Sequence, residues 1–177
     1  MRQTSKTVSP MSNEGRNAYV ITHITDALLK LLKEKTLNEI SISEICDKAQ
    51  VGRASFYRNF ETKQAVLEKY LQQLILEWGR GFEATNDTSK FSETLLQHYY
   101  KHKEVYLLLY RQNLSNLIYE QIRWGVKIDE SANNIARYIK STFSGLTFGI
   151  VDEWMRLGMQ ETPEQIIALT NNMNKNQ

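Results

Sequence analysis

The chain has 177 residues, 41% of them hydrophobic and 24% charged, with a net charge of +2. That composition fits an ordinary soluble globular protein. No apolar run approaches the roughly 18 residues needed to cross a bilayer, the first residues lack the apolar stretch of a secretory signal, and a single cysteine, Cys46, leaves no internal disulfide. A cytoplasmic protein with no membrane partner is expected.

Only two prolines and eight glycines interrupt the chain, and its apolar residues recur at helical spacing, so a nearly all-α fold is expected. Residues 1–12 are polar and without period and read as a flexible arm, in which Arg2 and Lys6 can touch an anion. A first helix is expected from about Asn13 to Glu34, with Val20, Ile24, Ala27, Leu28 and Leu31 on one face. "KTLNEIS" breaks that pattern, with Leu37 and Ile40 plugging the core from a loop. Ser41 followed by Glu44 has the spacing of a capping box, which starts a second helix over Ile42 to Ala49. "QVG" is a turn, a third helix runs from Arg53 to about Phe60, and Thr62 caps a fourth from Lys63 to about Glu83. After the linker "ATNDTS", helical patterns cover about Lys90 to Lys101, Lys103 to Trp124, Glu130 to Leu157 and Pro163 to Met173. Pro163 suits a first helical turn.

The second and third helices, joined by so short a turn, form a helix-turn-helix. In that motif the second helix enters the DNA major groove while the first crosses the backbone. Phe56 and Phe60, four apart, make an inward face, and Ala49 and Val51 are small enough for the two helices to cross. Arg53, Ala54 and Ser55 open the third helix, where side chains reach base edges. Tyr57, Arg58 and Asn59 follow as donors to phosphates, and Lys63 brings a positive charge to the start of the next helix. Residues 1–70 carry 11 Lys/Arg against 8 Asp/Glu and residues 71–177 carry 11 against 12, so the slight basic excess lies beside this motif. A packing-only motif is the alternative, and the basic, aromatic and hydroxylic outward residues speak against it.

"ISISEICDKAQVGRASFYRNFETKQAVL", preceded by "ITDALLKLLKEKT", resembles the DNA-binding domain of the tetracycline-repressor (TetR) family. The resemblance covers about Asn17 to Tyr70 and rests on Ile24, Ala27, Ile45, Ala49, Val51, Phe56, Tyr57, Phe60, Lys63 and Leu67. It is weaker beyond Tyr70, although "STFSGLTFGIVDEWMRLGMQETPEQIIAL" resembles the last two helices of one subgroup, which there form the dimer interface. The resemblance implies a homodimeric all-α regulator, usually a repressor released by a small effector. It places Ser41, Tyr57, Asn59 and Lys63 at phosphate-contacting positions and Arg53, Ala54 and Ser55 at base-facing ones. This chain departs from the family pattern at four points. Thr36 and Gln50 stand where glycine is usual, and a non-glycine residue in a left-handed turn costs about 1–2 kcal/mol. Gly52 replaces the usual Ser/Thr cap, and Ala54 replaces a common glycine.

The domains expected are therefore a helix-turn-helix domain over 13–62 and a helical effector-binding and dimerisation domain over 63–177. The DNA-binding set is Ser41, Gly52, Arg53, Ala54, Ser55, Tyr57, Arg58, Asn59 and Lys63, and the DNA partner is a double-stranded inverted-repeat operator. In the second domain Trp78, Phe82, Tyr99, Tyr106, Tyr110, Tyr119 and Trp124 are candidates for an effector pocket, against the alternative of plain core. Phe143, Gly145, Phe148, Gly149, Ile150, Trp154, Ile166 and Leu169 are candidates for the dimer interface.

Cys46 is expected as a buried small hydrophobe rather than a redox sensor. His98 and His102 have a metal-ligand spacing, but neither a third ligand nor an HExxH glutamate accompanies them. No GxGxxG, GxxxxGK[ST] or GxSxG motif is present. No metal, cofactor or catalytic residue is expected, and an enzyme is not. Two rival readings stay open: an effector-free regulator of the same fold, and a small helical metal-binding protein or enzyme built on His98 and His102.

Overall fold

A computed structural model describes residues 13–127 and 133–173, with side chains from Gly15 to Leu169. The expected arm of residues 1–12, with Arg2 and Lys6, and the Glu130 start of the penultimate helical pattern lie outside the described residues. All regular structure among the described residues is helical. The chain divides into two compact units, 1–63 and 64–177.

In the first unit, α1 (Asn13–Leu32) packs on α2 (Ile42–Ala49) and α3 (Arg53–Asn59), which also pack on each other. Ile24, Ala27, Leu28, Leu31 and Leu32 of α1 are buried with Ile40, Ile45, Cys46, Ala49, Phe56 and Phe60. Each large side chain so buried contributes about 1.5–3 kcal/mol relative to exposure. Burial also pushes the Cys46 thiol above its ordinary range, so it stays a protonated apolar filler. The expected capping box is formed: the Glu44 N–H donates to Ser41 Oγ (3.1 Å) and the Ser41 N–H to the Glu44 carboxylate (2.8 Å). Lys35 adds an ion pair to Glu44.

Of the two positions where glycine is usual, only one is left-handed. Gln50 has φ 55 and closes α2 in a Schellman motif, its N–H donating to the Asp47 carbonyl and the Val51 N–H to that of Cys46. Thr36 is not among the described residues with positive φ. Its N–H and hydroxyl instead donate to the Glu39 carboxylate at 2.9 and 2.7 Å, which builds the turn without glycine. The expected penalty at Thr36 therefore does not arise.

The second unit contains α4 (Lys63–Thr85), which begins at the junction, a 3₁₀ turn over Thr88–Lys90, α5 (Phe91–Lys101), α6 (Lys103–Arg111), α7 (Ser115–Gly125), α8 (Asn134–Arg156) and α9 (Pro163–Met173). Here α5 packs on α6 and α9, while α8 packs on α6 and α7. The single helical pattern expected over Lys103 to Trp124 is two helices. Asn113 takes φ 57, its N–H donates to the Tyr110 carbonyl (3.0 Å) and the Leu114 N–H to that of Leu109 (2.8 Å). This Schellman turn uses asparagine, the residue that best tolerates the left-handed conformation after glycine, and apolar spacing alone does not reveal it.

A polar cluster crosses this core. Gln121 Nε2 donates to the Leu71 carbonyl (2.6 Å) and to Tyr106 Oη (3.2 Å). The Tyr106 hydroxyl also shares a hydrogen bond with His98 Nε2, 3.1 Å away. Burial of His98, with His102 and Lys101 beside it, pushes its pKa down to about 3, so the ring is neutral in the folded chain. The unfolded chain thus takes up a proton below about pH 6.5 that the folded chain refuses. The stability from this group is complete above that pH and is lost as pH falls through the window from 6.5 towards 3. Urea unfolding should lose about 1.4 kcal/mol per pH unit below 6.5, or roughly 2 kcal/mol by pH 5. His98→Gln, which keeps a partner for Tyr106, should flatten most of that slope; His102, also lowered by burial, keeps the remainder. Equal slopes in both proteins would show that His98 is not held neutral.

Candidate nucleic-acid interface

The short helix α3 exists because Phe56 and the following Phe60 anchor it in the first unit, their rings 5.8 Å apart. Most of its other residues face outward from that anchor. Arg53, Ala54, Tyr57 and Arg58 are exposed, and Ser55 and Asn59 are half-buried. Tyr57, 52% exposed, stands edge-on to Phe56 at 5.6 Å, so its hydroxyl is carried outward on a braced ring. Asn59 Nδ2 donates to the Ser55 carbonyl at 2.9 Å, which spends one of its two amide protons inside the helix. Gly52 caps α3 in an extended conformation, with no side-chain bond to the helix. A Cβ there would meet nothing within 4 Å, so neither turn geometry nor crowding within the protein demands glycine.

Arg16, Asn17 and Val20 of α1 line a groove of about 510 Å³ together with Ser55, Arg58 and Asn59 of α3. Arg16 and Asn17 were not among the expected DNA-binding residues. Their signal was present: Arg16 and Val20 continue the four-residue spacing of Ile24 and Leu28, so the face that is core further along turns polar beside α3.

Two of the expected phosphate contacts have their donors turned into the fold. The Ser41 hydroxyl donates to the Glu44 carboxylate at 2.9 Å as part of the cap. Lys63 Nζ donates to the Leu37 and Ile40 carbonyls, each at 2.6 Å, with the Asn38 carbonyl at 3.4 Å. An ammonium has three protons. Those of Lys63 are directed at the loop between α1 and α2. A sequence pattern reads the charge of Lys63 but not the direction in which it points.

In the second unit, Trp78, Phe82 and Trp124 line an open cleft of about 890 Å³. Tyr99, Tyr106, Tyr110 and Tyr119, expected with them, are not in its walls. Tyr99 and Tyr106 are fully buried, the latter in the cluster with His98. The Tyr110 hydroxyl donates to Asp152, which Arg156 also holds at 2.7 Å, and Tyr119 packs on Phe148 at 5.1 Å. Helical spacing marked these four as aromatic residues of helices but could not assign the face each presents, and α6, which carries Tyr106 and Tyr110, contributes nothing to the cleft. The cleft also contains residues absent from the expected set: Phe91, Arg80, Arg123 and Lys127.

Of the expected dimer residues, Phe143, Gly145, Gly149, Ile150 and Leu169 are exposed, while Phe148 and Ile166 are half-buried. Trp154 is not a surface residue. It is 2% exposed, donates its indole N–H to the Glu161 carbonyl at 3.1 Å, and stacks on Tyr100 at 5.9 Å, so it holds the turn between α8 and α9. The outer face of α8 has further apolar residues that were missed: Ile135, Tyr138, Ile139 and Leu146 are 64–72% exposed. Among the described residues no group of three or more His, Cys, Asp or Glu is placed to hold a metal, and no helix is long and apolar enough to cross a membrane.

Comparisons with known proteins agree with this arrangement. Residues 24–70 match the family described as bacterial regulatory proteins, tetR family, and residues 86–176 match one described as transcriptional regulator C-terminal region. The chain is 35% identical over 51 residues to the uncharacterised HTH-type transcriptional regulator YxbF of Bacillus subtilis (strain 168), and 30% identical over 94 residues to YvkB of the same organism, described likewise. Those alignments span 29% and 50% of this chain, and 13% and 50% of the relatives, so half or less of either relative's length is matched. Among solved structures, Lin0861 from Listeria innocua superposes with a TM-score of 0.76 at 16% identity, covering 94% of this chain and 95% of that one. The dihydroxyacetone kinase operon activator DhaS superposes at 0.52 and 17% identity, covering 88% and 96%. At such identities these two likenesses speak for the fold alone. With its helix-turn-helix over residues 42–59 and the family matches on both sides of residue 80, the chain belongs to the TetR family and is an all-α, DNA-binding transcriptional regulator.

Proposed function

We propose that the protein is a homodimeric repressor that binds an inverted-repeat operator in the cytoplasm and is released by a small-molecule effector, without enzymatic activity. The observation that supports this best is the contrast between the two faces of α3, Phe56 inward and Arg53, Ala54, Tyr57 and Arg58 outward. Residues 13–62 serve DNA binding in this reading, and residues 63–177 serve effector binding and dimerisation. Arg53 and Ser55 reach base edges beside the small Ala54 and Gly52. Tyr57, Arg58, Asn59 and the added Arg16 hold phosphates, while Ser41 and Lys63 act by fixing the supporting loop. Each protomer places one α3 in one of two major grooves, and the apolar face of α8 with α9 joins the protomers. An effector weakens operator binding only by its differential affinity for the two conformations of the dimer.

Selection of bound fragments from the source genome with the purified protein tests this directly. Recovered sites should be inverted repeats with half-site centres one helical turn apart or a multiple of it. Arg53→Ala should then cost about 1–3 kcal/mol on the selected operator and relax preference at one base position per half-site. Equal losses on operator and scrambled duplex would instead make Arg53 a phosphate contact. A reporter placed behind the operator separates repression from activation.

A further inference from the structure

We propose that the cleft of the second unit takes an amphipathic anion, with its apolar tail in an inner chamber and a carboxylate or phosphate head among Arg80, Arg123 and Lys127. This rests on the effector reading above and adds the chemical class of the ligand. The outer cleft, about 890 Å³, falls in the range of small-molecule sites. It shares Ile75, Trp78, Phe91 and Gly125 with a second, partly open chamber of about 180 Å³, lined further by Leu95, Ile122, Val126, Phe143 and Thr147.

The inner chamber suits a tail and rejects a charge. Its walls are hydrocarbon and aromatic apart from Thr147, because the Trp78 N–H is already donated to Thr94 Oγ1 at 3.2 Å. A charged group placed there would lose part of its hydration and gain no charged partner. The walls are also braced in advance. Trp78 lies parallel to Phe82 at 5.6 Å, both rings meet Phe91 edge-on at 5.3 and 5.5 Å, and Phe91 meets Phe143 at 5.4 Å. Preformed walls reduce the ordering cost of binding.

The outer cleft supplies the opposite chemistry. Arg80, Arg123 and Lys127 line it with two carboxylates, Glu83 and Glu120. Among the described residues none of these three cations forms an ion pair. The guanidinium of Arg123 lies 5.7 Å over the Tyr119 ring, which steadies it. Lys140 adds another ammonium at this end of the cleft, held by the Lys127 carbonyl at 2.8 Å. Among the described residues, cations therefore outnumber carboxylates where a head group would sit, and two of them are guanidinium forks that match a carboxylate or phosphate in two-point contact.

The test uses the full chain and three ten-carbon probes: decanoate, decanol and decylamine. Trp78 and Trp124 line the cleft, so tryptophan fluorescence reports binding. Decanoate should bind at least tenfold more tightly than decanol, with decylamine weakest, and added salt should shrink the difference. The triple variant Arg80→Gln, Arg123→Gln, Lys127→Gln should bring decanoate to within threefold of decanol while leaving decanol unchanged. Val126→Phe, which fills the chamber, should weaken decanoate and decanol alike, with circular dichroism and melting temperature checking that the variant is folded. Equal binding of decanol, preference for decylamine, or an intact preference in the triple variant would each overturn the anionic head group. If decanol or decylamine binds and releases operator DNA, the effector reading survives without that head group. If none of the three binds, the inference and its apolar tail site both fail, and an effector-free regulator is favoured.

Discussion

Leu146→Glu is expected to yield a folded monomer with at least a hundredfold weaker operator binding, and the unaltered protein is expected to be a dimer at micromolar concentration. Leu146 is 67% exposed within one protomer, and its neighbours Ile135, Tyr138, Ile139 and Ile150 are 72%, 72%, 64% and 43% exposed. They recur at intervals of three, one, seven and four residues, which keeps them on one face of α8. So much apolar surface along one helix is unusual for a monomer and is the mark of an interface. Gly145 and Gly149 beside it leave open space, which lets a second helix approach. Because the residue is exposed, a carboxylate there should change protomer stability by no more than about 0.5 kcal/mol. In a two-fold dimer it would be buried twice, unpaired, at a cost on the order of 3–5 kcal/mol, equivalent to a loss of two to four powers of ten in dimer affinity. Sedimentation velocity decides it, and a variant that stays dimeric would move the interface elsewhere.

A second large effect is expected at Lys63, on stability rather than on contact with DNA. Lys63→Met keeps the stem but removes the ammonium that serves the Leu37 and Ile40 carbonyls at 2.6 Å. Hydrogen bonds from a charged group are worth about 1.5–3 kcal/mol each, and part-buried carbonyls recover some of that from water. A loss of about 2–4 kcal/mol in urea unfolding of the first unit is therefore expected. The slope of log K against log[salt] for DNA binding, measured at a temperature where the variant is folded, should stay the same, since no phosphate contact is removed. A slope lowered by about 1 with stability intact would return Lys63 to the phosphate contacts.

The local sequence determined those features that depend on neighbours along the chain. Ser41 and Glu44 dictated the start of α2, Phe56 and Phe60 the inward face of α3, and Pro163 the first turn of α9, because caps, turns and helical faces are set by residues within four positions. The family pattern followed from the same short stretch. Tertiary structure decided what depends on distant partners. Trp154 is an apolar residue on the expected interface helix, yet it is consumed by the turn at Glu161. Tyr106 shares the spacing of a pocket aromatic, yet it is closed in by His98 and Gln121. Lys63 reads as a free cation, yet carbonyls more than twenty residues earlier take up its protons. The same holds for the cleft, where Arg80 of α4 and Arg123 of α7 come to line one cavity only through the packing of the unit. Periodicity gives the face of one helix relative to its own core. Which partner that face meets is fixed by long-range packing, which local spacing does not encode.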